Sequence, residues 1–150
     1  MINPFDDKYF MKKAFQEAEI AFEKGEVPVG AVIVCNNQII AKGHNQVEAL
    51  NDATAHAEML AFTAATNYLG SKYLKECTLY VTLEPCQMCS GAAFWSQIGR
   101  IVYAASDDKR GFVHLNCQVH PKTEVKSGIM ASESEELLQR FFNIDLLFFS

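Results

Sequence analysis

Two short motifs carry the residue types of a catalytic metal site: His56-Ala57-Glu58 and, downstream, Pro85-Cys86-Gln87-Met88-Cys89. Imidazole and thiolate groups are ligands that zinc prefers, and a structural zinc site takes four of them. One histidine and two cysteines leave the fourth tetrahedral position to water, which is the arrangement of a hydrolytic zinc site. We therefore predict that His56, Cys86 and Cys89 bind one zinc ion per chain.

Glu58 supplies the acid–base group that hydrolysis at such a centre requires. Zinc lowers the pKa of a bound water from about 15.7 toward about 7, which provides a nucleophile near neutral pH. When water attacks an electrophilic carbon at such a centre, one side chain has to take up a proton and return it as the leaving group departs. Glu58 lies two residues after His56, so its carboxylate can stand beside the water without binding the metal. We predict that Glu58 is the catalytic residue and contributes about 10²–10⁴ in rate.

A redox function is the main alternative for the second motif, because a Cys-x-x-Cys pair is also typical of thiol–disulfide exchange. That interpretation leaves His56 and Glu58 without a role. The joint occurrence of His-x-Glu and Pro-Cys-x-x-Cys therefore favours zinc catalysis.

Both motifs are predicted to lie at the start of a helix. Pro85 suits a first helical turn, and Cys86 and Cys89 are three residues apart, so their sulfurs share one face. The amides and dipole of a helix N-terminus also favour thiolate over thiol. A second helix is predicted from Ala55 to Ala65, next to His56. Three residues are candidate caps for it: Asn51, Asp52 and Thr54.

The rest of the chain predicts alternating helices and strands. An opening helix ends near Gly25 and has one apolar stripe: Met11, Ala14, Phe15, Ala18, Ala21 and Phe22. Val29–Val34 and Ile39–Ala41 predict a hairpin around the Asn36-Asn37 turn. The runs Leu79–Leu83 and Ile101–Ala105, separated by the cysteine helix, predict parallel neighbours in one sheet.

The C-terminal third predicts one more strand and a last helix. The strand covers Thr123–Lys126. Ser132-Glu133-Ser134-Glu135 offers a capping box for the helix. Its expected buried stripe is Leu137, Leu138, Phe141 and Phe142. The apolar segment from Ile144 to Ser150 is expected to pack on the body of the protein or on a partner subunit.

Composition is that of one α/β domain covering residues 1–150, with 49% hydrophobic and 21% charged residues. No apolar stretch has membrane length and the first residues lack a signal-peptide pattern, so we expect a cytoplasmic protein without membrane contact. Five cysteines argue against a disulfide framework.

A formal charge of −5 is unfavourable for non-specific RNA binding, although a local basic rim would suffice. Candidates for that rim are Lys42, Arg100, Lys109, Arg110, Lys122 and Lys126.

From about Tyr9 to Phe142 the chain resembles the cytidine-deaminase superfamily and, within it, the bacterial tRNA-specific adenosine deaminases. Beyond the metal motifs, the resemblance lies in Glu26-Val27-Pro28-Val29-Gly30-Ala31-Val32, Gly43-His44-Asn45, Leu79-Tyr80-Val81-Thr82-Leu83-Glu84 and Ile98-Gly99-Arg100. It implies a three-layer α/β/α sandwich around a mixed five-stranded sheet. It also implies a homodimer that converts adenosine to inosine at the wobble position of a tRNA anticodon stem-loop.

The same resemblance implies a set of substrate-binding residues. By position, Asn45 is similar to the family asparagine that holds the target nucleoside. Val29, Ala57 and Leu83 are similar to pocket-wall positions. Asp107 is similar to an aspartate near the nucleotide that precedes the target base.

Three departures from the family pattern keep other functions open. The segment from Gly111 to Lys122 is short and holds His120-Pro121 where many relatives have Asn-His, and the C-terminus lacks a basic tail. Trp95 stands where many relatives have a smaller residue, and a comparable tryptophan occurs in guanine deaminases. The alternative substrate is a free nucleobase, guanine or cytosine. A catalytically silent RNA-binding protein is a third hypothesis, which the intact Glu58 disfavours.

Overall fold

A computed structural model describes residues 4–149, with side-chain surroundings for residues 4–143. Within this range the chain forms four helices and five strands. They are α1 (Asp7–Glu23), β1 (Gly30–Cys35), β2 (Gln38–His44), α2 (Ala57–Leu69), β3 (Cys77–Leu83), α3 (Gln87–Ser96), β4 (Arg100–Ala105), β5 (Glu124–Ser127) and α4 (Ala131–Phe149). None of the helices in the described range is long and apolar enough to cross a membrane.

The five strands form one mixed sheet in the order β2-β1-β3-β4-β5. β1 is antiparallel to both β2 and β3, whereas β3, β4 and β5 run parallel. The predicted hairpin is confirmed, and its two turn residues, Asn36 and Asn37, have φ angles of 52° and 61°. This is the left-handed conformation that a two-residue hairpin turn requires, and asparagine tolerates it. The predicted parallel pairing of β3 and β4 is also confirmed.

Helices cover both faces of the sheet, which confirms the predicted three-layer α/β/α sandwich. α1 packs on one face, where Phe10 and Met11 meet Val32 and Val102. α4 contacts the same side through α1 and β4. On the other face, residues of α2 and α3 pack against the alternate strand positions. They include Ala57, Ala61, Phe62 and Ala93 from the helices, and Ile33, Leu79 and Ile101 from the strands.

The start of α4 and part of its stripe differ from the prediction. The helix begins at Ala131, directly after Met130 in the left-handed conformation (φ 62°). Ser132 therefore lies inside the first turn, and the buried Ser134 hydroxyl has no hydrogen-bond partner among the described residues, so the capping-box prediction is wrong. Leu137 is buried as expected, but Phe142 is 48% exposed. The side chains of the apolar segment 144–150 lie outside the described range.

Asp7, the first residue of α1, ties this helix to three strands. Its carboxylate accepts two hydrogen bonds from the Arg100 guanidinium (2.7 and 2.8 Å), one from the Tyr80 hydroxyl (2.8 Å) and one from the Lys126 ammonium (3.0 Å). The Arg100 guanidinium holds the pKa of the Asp7 carboxyl well below its usual range. Arg100 and Lys126, two candidates for the basic rim, are therefore engaged within the fold.

We predict that Asp7→Asn lowers the free energy of unfolding by about 1–3 kcal/mol at neutral pH, because charge-assisted hydrogen bonds are lost. The pKa of Asp7 is lower in the folded than in the unfolded protein. Its contribution is therefore complete above the unfolded value of about 3.9 and is lost as the pH falls through the folded value. Urea unfolding of both proteins at about pH 6 and about pH 3 measures this. An equal difference at both pH values would contradict the assignment.

Candidate active site

The predicted site residues gather at one end of the sheet. β2, β3 and β4 end there and β1 begins there, as the pairs Gly30 with His44 and Leu83 with Ala105 indicate. The N-termini of α2 and α3 meet at the same end. Chain segments that are distant in sequence thus contribute to one site.

Three of these residues form a metal-binding set in the described structure: His56, Cys86 and Cys89. Nδ1 of His56 lies 3.6 Å from Sγ of Cys86 and 3.7 Å from Sγ of Cys89. Nitrogen and sulfur ligands of a tetrahedral zinc, at about 2.0–2.1 Å and about 2.3 Å from the metal, stand about 3.6 Å apart. The spacing and chemistry of the donors therefore fit one zinc ion per chain.

His56 and Cys86 are the N-cap residues of α2 and α3, and both have extended backbones. Neither side chain bonds to the amides of its own helix, so both project toward the metal site. Cys89 lies in the first turn of α3. Pro85 precedes the cap, so the prediction that it lies in the first turn is wrong.

The two thiols have different proton affinities. Hydrogen bonds from the Cys89 thiol and from His56 lower the pKa of Cys86 to about 4, against the opposing effect of burial. The neighbouring Cys86 and burial raise the pKa of Cys89. Cys86 also raises the pKa of His56 through their hydrogen bond. Cys86 is thus a thiolate at neutral pH, the form that binds zinc.

The first backbone amide of α2 is hydrogen-bonded by Asn45, a residue that lies well before the helix in the sequence. Its Oδ1 accepts a hydrogen bond of 2.8 Å from the Ala57 amide. The predicted caps do not serve the helix, because α2 begins at Ala57 instead of Ala55 and Asp52 accepts its bonds from the amide and hydroxyl of Thr54. No hydrogen bond of the described residues uses the side-chain NH₂ group of Asn45, which is therefore available to a ligand.

A glycine brings β2 close enough to α2 for this contact. A Cβ atom at Gly43 would collide with the carbonyl oxygen of Ala57. The backbones therefore approach as only glycine allows, two residues before Asn45. The Asn45 backbone amide also bonds to the carbonyl of Val29 (3.1 Å), which fixes Asn45 at the end of the sheet.

Glu58, the second residue of α2, is 4% exposed and lies beside the ligands without belonging to the metal-binding set. Burial raises its pKa to about 7. A carboxyl group with a pKa near neutrality can both take up and release a proton at physiological pH. The position of Glu58 thus suits acid–base chemistry.

A cavity of about 250 Å³ opens above the metal ligands. It is smaller than the usual range of about 300–1,000 Å³ for drug-sized ligands, which suits one base-sized ring. Of the five predicted substrate residues, four line it: Val29, Asn45, Leu83 and Asp107. Ala57 does not line it, because this residue is fully buried in the core and serves the site through its backbone amide.

Sequence analysis did not place several other residues at the cavity. They include Glu26, Val47, Glu48, Glu84 and Phe141, and also Arg110, which was only a candidate for the basic rim. Glu26 and Glu84 are buried carboxylates at the ends of apolar runs. That placement was the available signal, because a buried charge requires a specific partner.

Trp95 lies outside this cavity and is 77% exposed on α3. Its ring contacts Phe94, which in turn lies beside His120. The tryptophan therefore does not shape the described pocket.

The fold, the three-ligand metal site and the buried carboxyl group are those of a zinc-dependent deaminase. Residues 4–105 match the family described as the cytidine and deoxycytidylate deaminase zinc-binding region, and the chain belongs to this family.

Individual relatives of this chain indicate which kinds of deaminase it is similar to. A tRNA-specific adenosine deaminase of Aquifex aeolicus (strain VF5) is 48% identical over 140 residues, which cover 90% of this chain and 93% of that protein. A solved structure from studies of A-to-I editing by tRNA:A34 deaminases has a TM-score of 0.80 and 42% identity, covering 86% of this chain and 98% of that chain. A guanine deaminase structure from Bacillus subtilis has a TM-score of 0.64 and 41% identity, covering 70% of this chain and 66% of that chain.

We predict that the purified protein contains about one zinc per chain and that Cys86→Ala and Cys89→Ala each lose it, because two ligands do not retain the metal. Cys77→Ala is the matched control, since Cys77 is a buried thiol outside the metal set. It should keep its zinc. Metal analysis of the four proteins measures the outcome, and stoichiometric zinc in both ligand variants would refute the assignment.

Proposed function

We propose that the protein is a zinc-dependent hydrolase that deaminates adenosine to inosine at the wobble position of a tRNA anticodon. The observation that carries the chemistry is the buried Glu58 carboxyl group beside the three zinc-binding residues. These residues lie at the bottom of a cavity whose volume suits one nucleobase. The tRNA substrate is supported by the likeness to tRNA-specific adenosine deaminases along most of the chain. With such a substrate, the enzyme acts in the cytoplasm.

Glu58 moves the protons of the reaction. When bound, zinc supplies an activated water to such a site. The Glu58 carboxylate takes a proton as water adds to C6 of adenine and delivers it to N1. It then assists the departure of the 6-amino group, so that adenosine and water give inosine and ammonia. A group that serves both transfers needs a pKa near neutrality, as burial gives Glu58.

The cavity walls hold the base in place. The target base has to leave the anticodon stack to reach the metal. Val29 and Leu83 offer apolar walls to its faces, and the side-chain NH₂ group of Asn45 offers a hydrogen-bond donor. Ala57 contributes by fixing the Asn45 carbonyl oxygen. Asp107 also lines the cavity, and we assign it to the nucleotide that precedes the target base.

One turn at the mouth of the cavity carries cationic side chains that can contact RNA phosphates. Arg110 is the one cationic side chain among the described residues that line the cavity. Its backbone amide and that of Lys109 donate to the Asp107 carboxylate at 3.0 Å, which places both cations in one turn. Contacts to the RNA phosphates there need no overall positive charge.

A free-base substrate is less well supported. Trp95, the residue that favoured it in the sequence, lies outside the cavity. The likeness to the Bacillus subtilis guanine deaminase also covers a smaller share of both chains than the likeness to the tRNA:A34 deaminase structure. A silent RNA-binding role gives no reason for a buried Glu58 beside the metal set.

The decisive experiment offers the protein four substrates separately: an adenosine-34 anticodon stem-loop, free guanine, free cytosine and free adenine. We predict inosine in the stem-loop with one ammonia released per inosine, and no ammonia from the free bases. Chromatography of the digested RNA and an ammonia assay measure both products. Ammonia from a free base without inosine in the RNA would establish the alternative.

Two variants of the site serve as controls in this experiment. Glu58→Gln should keep its zinc and its affinity for the stem-loop but lose at least about 10²-fold in single-turnover rate, because the titrating group is gone. Asn45→Ala should weaken stem-loop binding and keep its zinc. Near-normal turnover of Glu58→Gln, or loss of its zinc, would assign that carboxylate another role.

We also propose that the protein forms a C₂ homodimer, in which the loops of one subunit border the site of the other. Family likeness supports this, as do two large exposed aromatic residues, Tyr68 on α2 (66%) and Trp95 on α3 (77%). Sedimentation at micromolar concentration should give twice the chain mass of 16.8 kDa. A monomer with full activity would contradict the proposal.

A further inference from the structure

We infer that Glu84 is a positioning residue that holds the segment 107–113 against the metal site. Glu84 directly follows β3 and is 5% exposed. Its Oε1 accepts a hydrogen bond from the Asp107 amide (3.0 Å), and its Oε2 accepts one from the Val113 amide (2.9 Å). Both carboxylate oxygens are therefore bound to the two ends of this segment.

The fit between Glu84 and this segment leaves no room for an added side chain. A Cβ atom at Gly111 would collide with the Glu84 carboxylate and with the carbonyl oxygen of Asp107. The Gly111 amide donates to that same carbonyl at 3.0 Å. The segment thus folds closely around the carboxylate, and this arrangement requires glycine at position 111.

The same segment also binds the residues that lead into the metal site. The Phe112 amide donates to the carbonyl of Pro85 (2.9 Å), and Gly111 forms an antiparallel bridge with Cys86. Glu84, Pro85 and Cys86 therefore form a short edge on which the segment 107–113 lies. Their contacts set the distance between the zinc ligand Cys86 and the cavity residues Asp107 and Arg110.

This inference rests on the proposed function, because it assigns the segment a part in RNA binding. Asp107 and Arg110 line the cavity, whereas the Glu84 oxygens are already engaged by backbone amides. Glu84 thus acts through the segment, not on the base. Its loss should weaken capture of the stem-loop and leave the chemical step, which belongs to Glu58, nearly unchanged.

The test compares Glu84→Gln with Gly111→Ala. The first variant turns an NH₂ group toward one of the two amides, and the second keeps the carboxylate but displaces the segment. Both should retain zinc and a single-turnover rate at saturating stem-loop within about threefold of wild type. KM for the stem-loop should rise by about tenfold or more, as expected when a charge-assisted hydrogen bond is lost.

Two controls separate positioning from general stability. Asp7→Asn removes a carboxylate that binds Arg100 at the opposite end of β4 and does not line the cavity, so it should lower stability but leave KM unchanged. The double variant Glu84→Gln/Gly111→Ala should raise KM little beyond the larger single effect, because both changes disturb one contact.

Three outcomes would overturn the inference: an unchanged KM in both variants, loss of zinc from both, or a loss confined to turnover. Gly111→Ala decides the question if Glu84→Gln does not fold. A wild-type protein that makes no inosine would refute the proposed function instead. Amide hydrogen exchange at Asp107 and Val113, faster in Glu84→Gln than in wild type, would then still test the positioning.

Discussion

The placement of His56 and Cys86 at the N-caps of two converging helices is the constraint on which the site depends. An N-cap side chain usually accepts a bond from its own helix, and its loss costs about 1 kcal/mol. Here neither side chain caps its own helix, and both belong to the set of metal-binding residues instead. In α2 the missing cap is replaced by Asn45, whose side-chain oxygen accepts a hydrogen bond from the Ala57 amide. The close approach of the two backbones at Gly43 brings the Asn45 side chain within reach. Sheet, helix and metal site are coupled through this one bond.

Three buried glutamates around the cavity show how partners decide the use of a carboxyl group. Glu26 accepts from the amides of Glu48 and Ala49, and Glu84 accepts from those of Asp107 and Val113. Each stabilises a segment of the rim. Glu58 is equally buried, but burial outweighs the groups that stabilise its charge and raises its pKa to about 7. The same side chain thus serves as an anchor in two places, and in the third we propose that it carries protons.

Much of this architecture could be predicted from local sequence patterns. Apolar runs and turn residues predicted the order of the elements, and motif spacing predicted which ligands share a site. Local capping rules failed at α2 because they selected Asn51, Asp52 and Thr54, whereas the acceptor, Asn45, directly follows β2 and lies twelve positions before the amide that it binds. The roles of Glu26 and Glu84 were missed for the same reason: each acts on backbone more than twenty positions away. Such bonds depend on the assembled fold and leave no periodic trace in the sequence.

Glu26 and Glu84 each hold a segment at the edge of the cavity through backbone amides, which affects how such a site can change in evolution. The segments that Glu26 and Glu84 hold also carry exposed side chains, among them Glu48, Asp108 and Lys109. Because backbone amides make the attachment, these side chains are free to vary while the path of the chain is retained. The charge and shape of the entrance can thus diverge between descendants of one ancestor while the zinc ligands keep their geometry. Selectivity for the substrate, set at the entrance, can therefore change independently of the reactivity of the metal site.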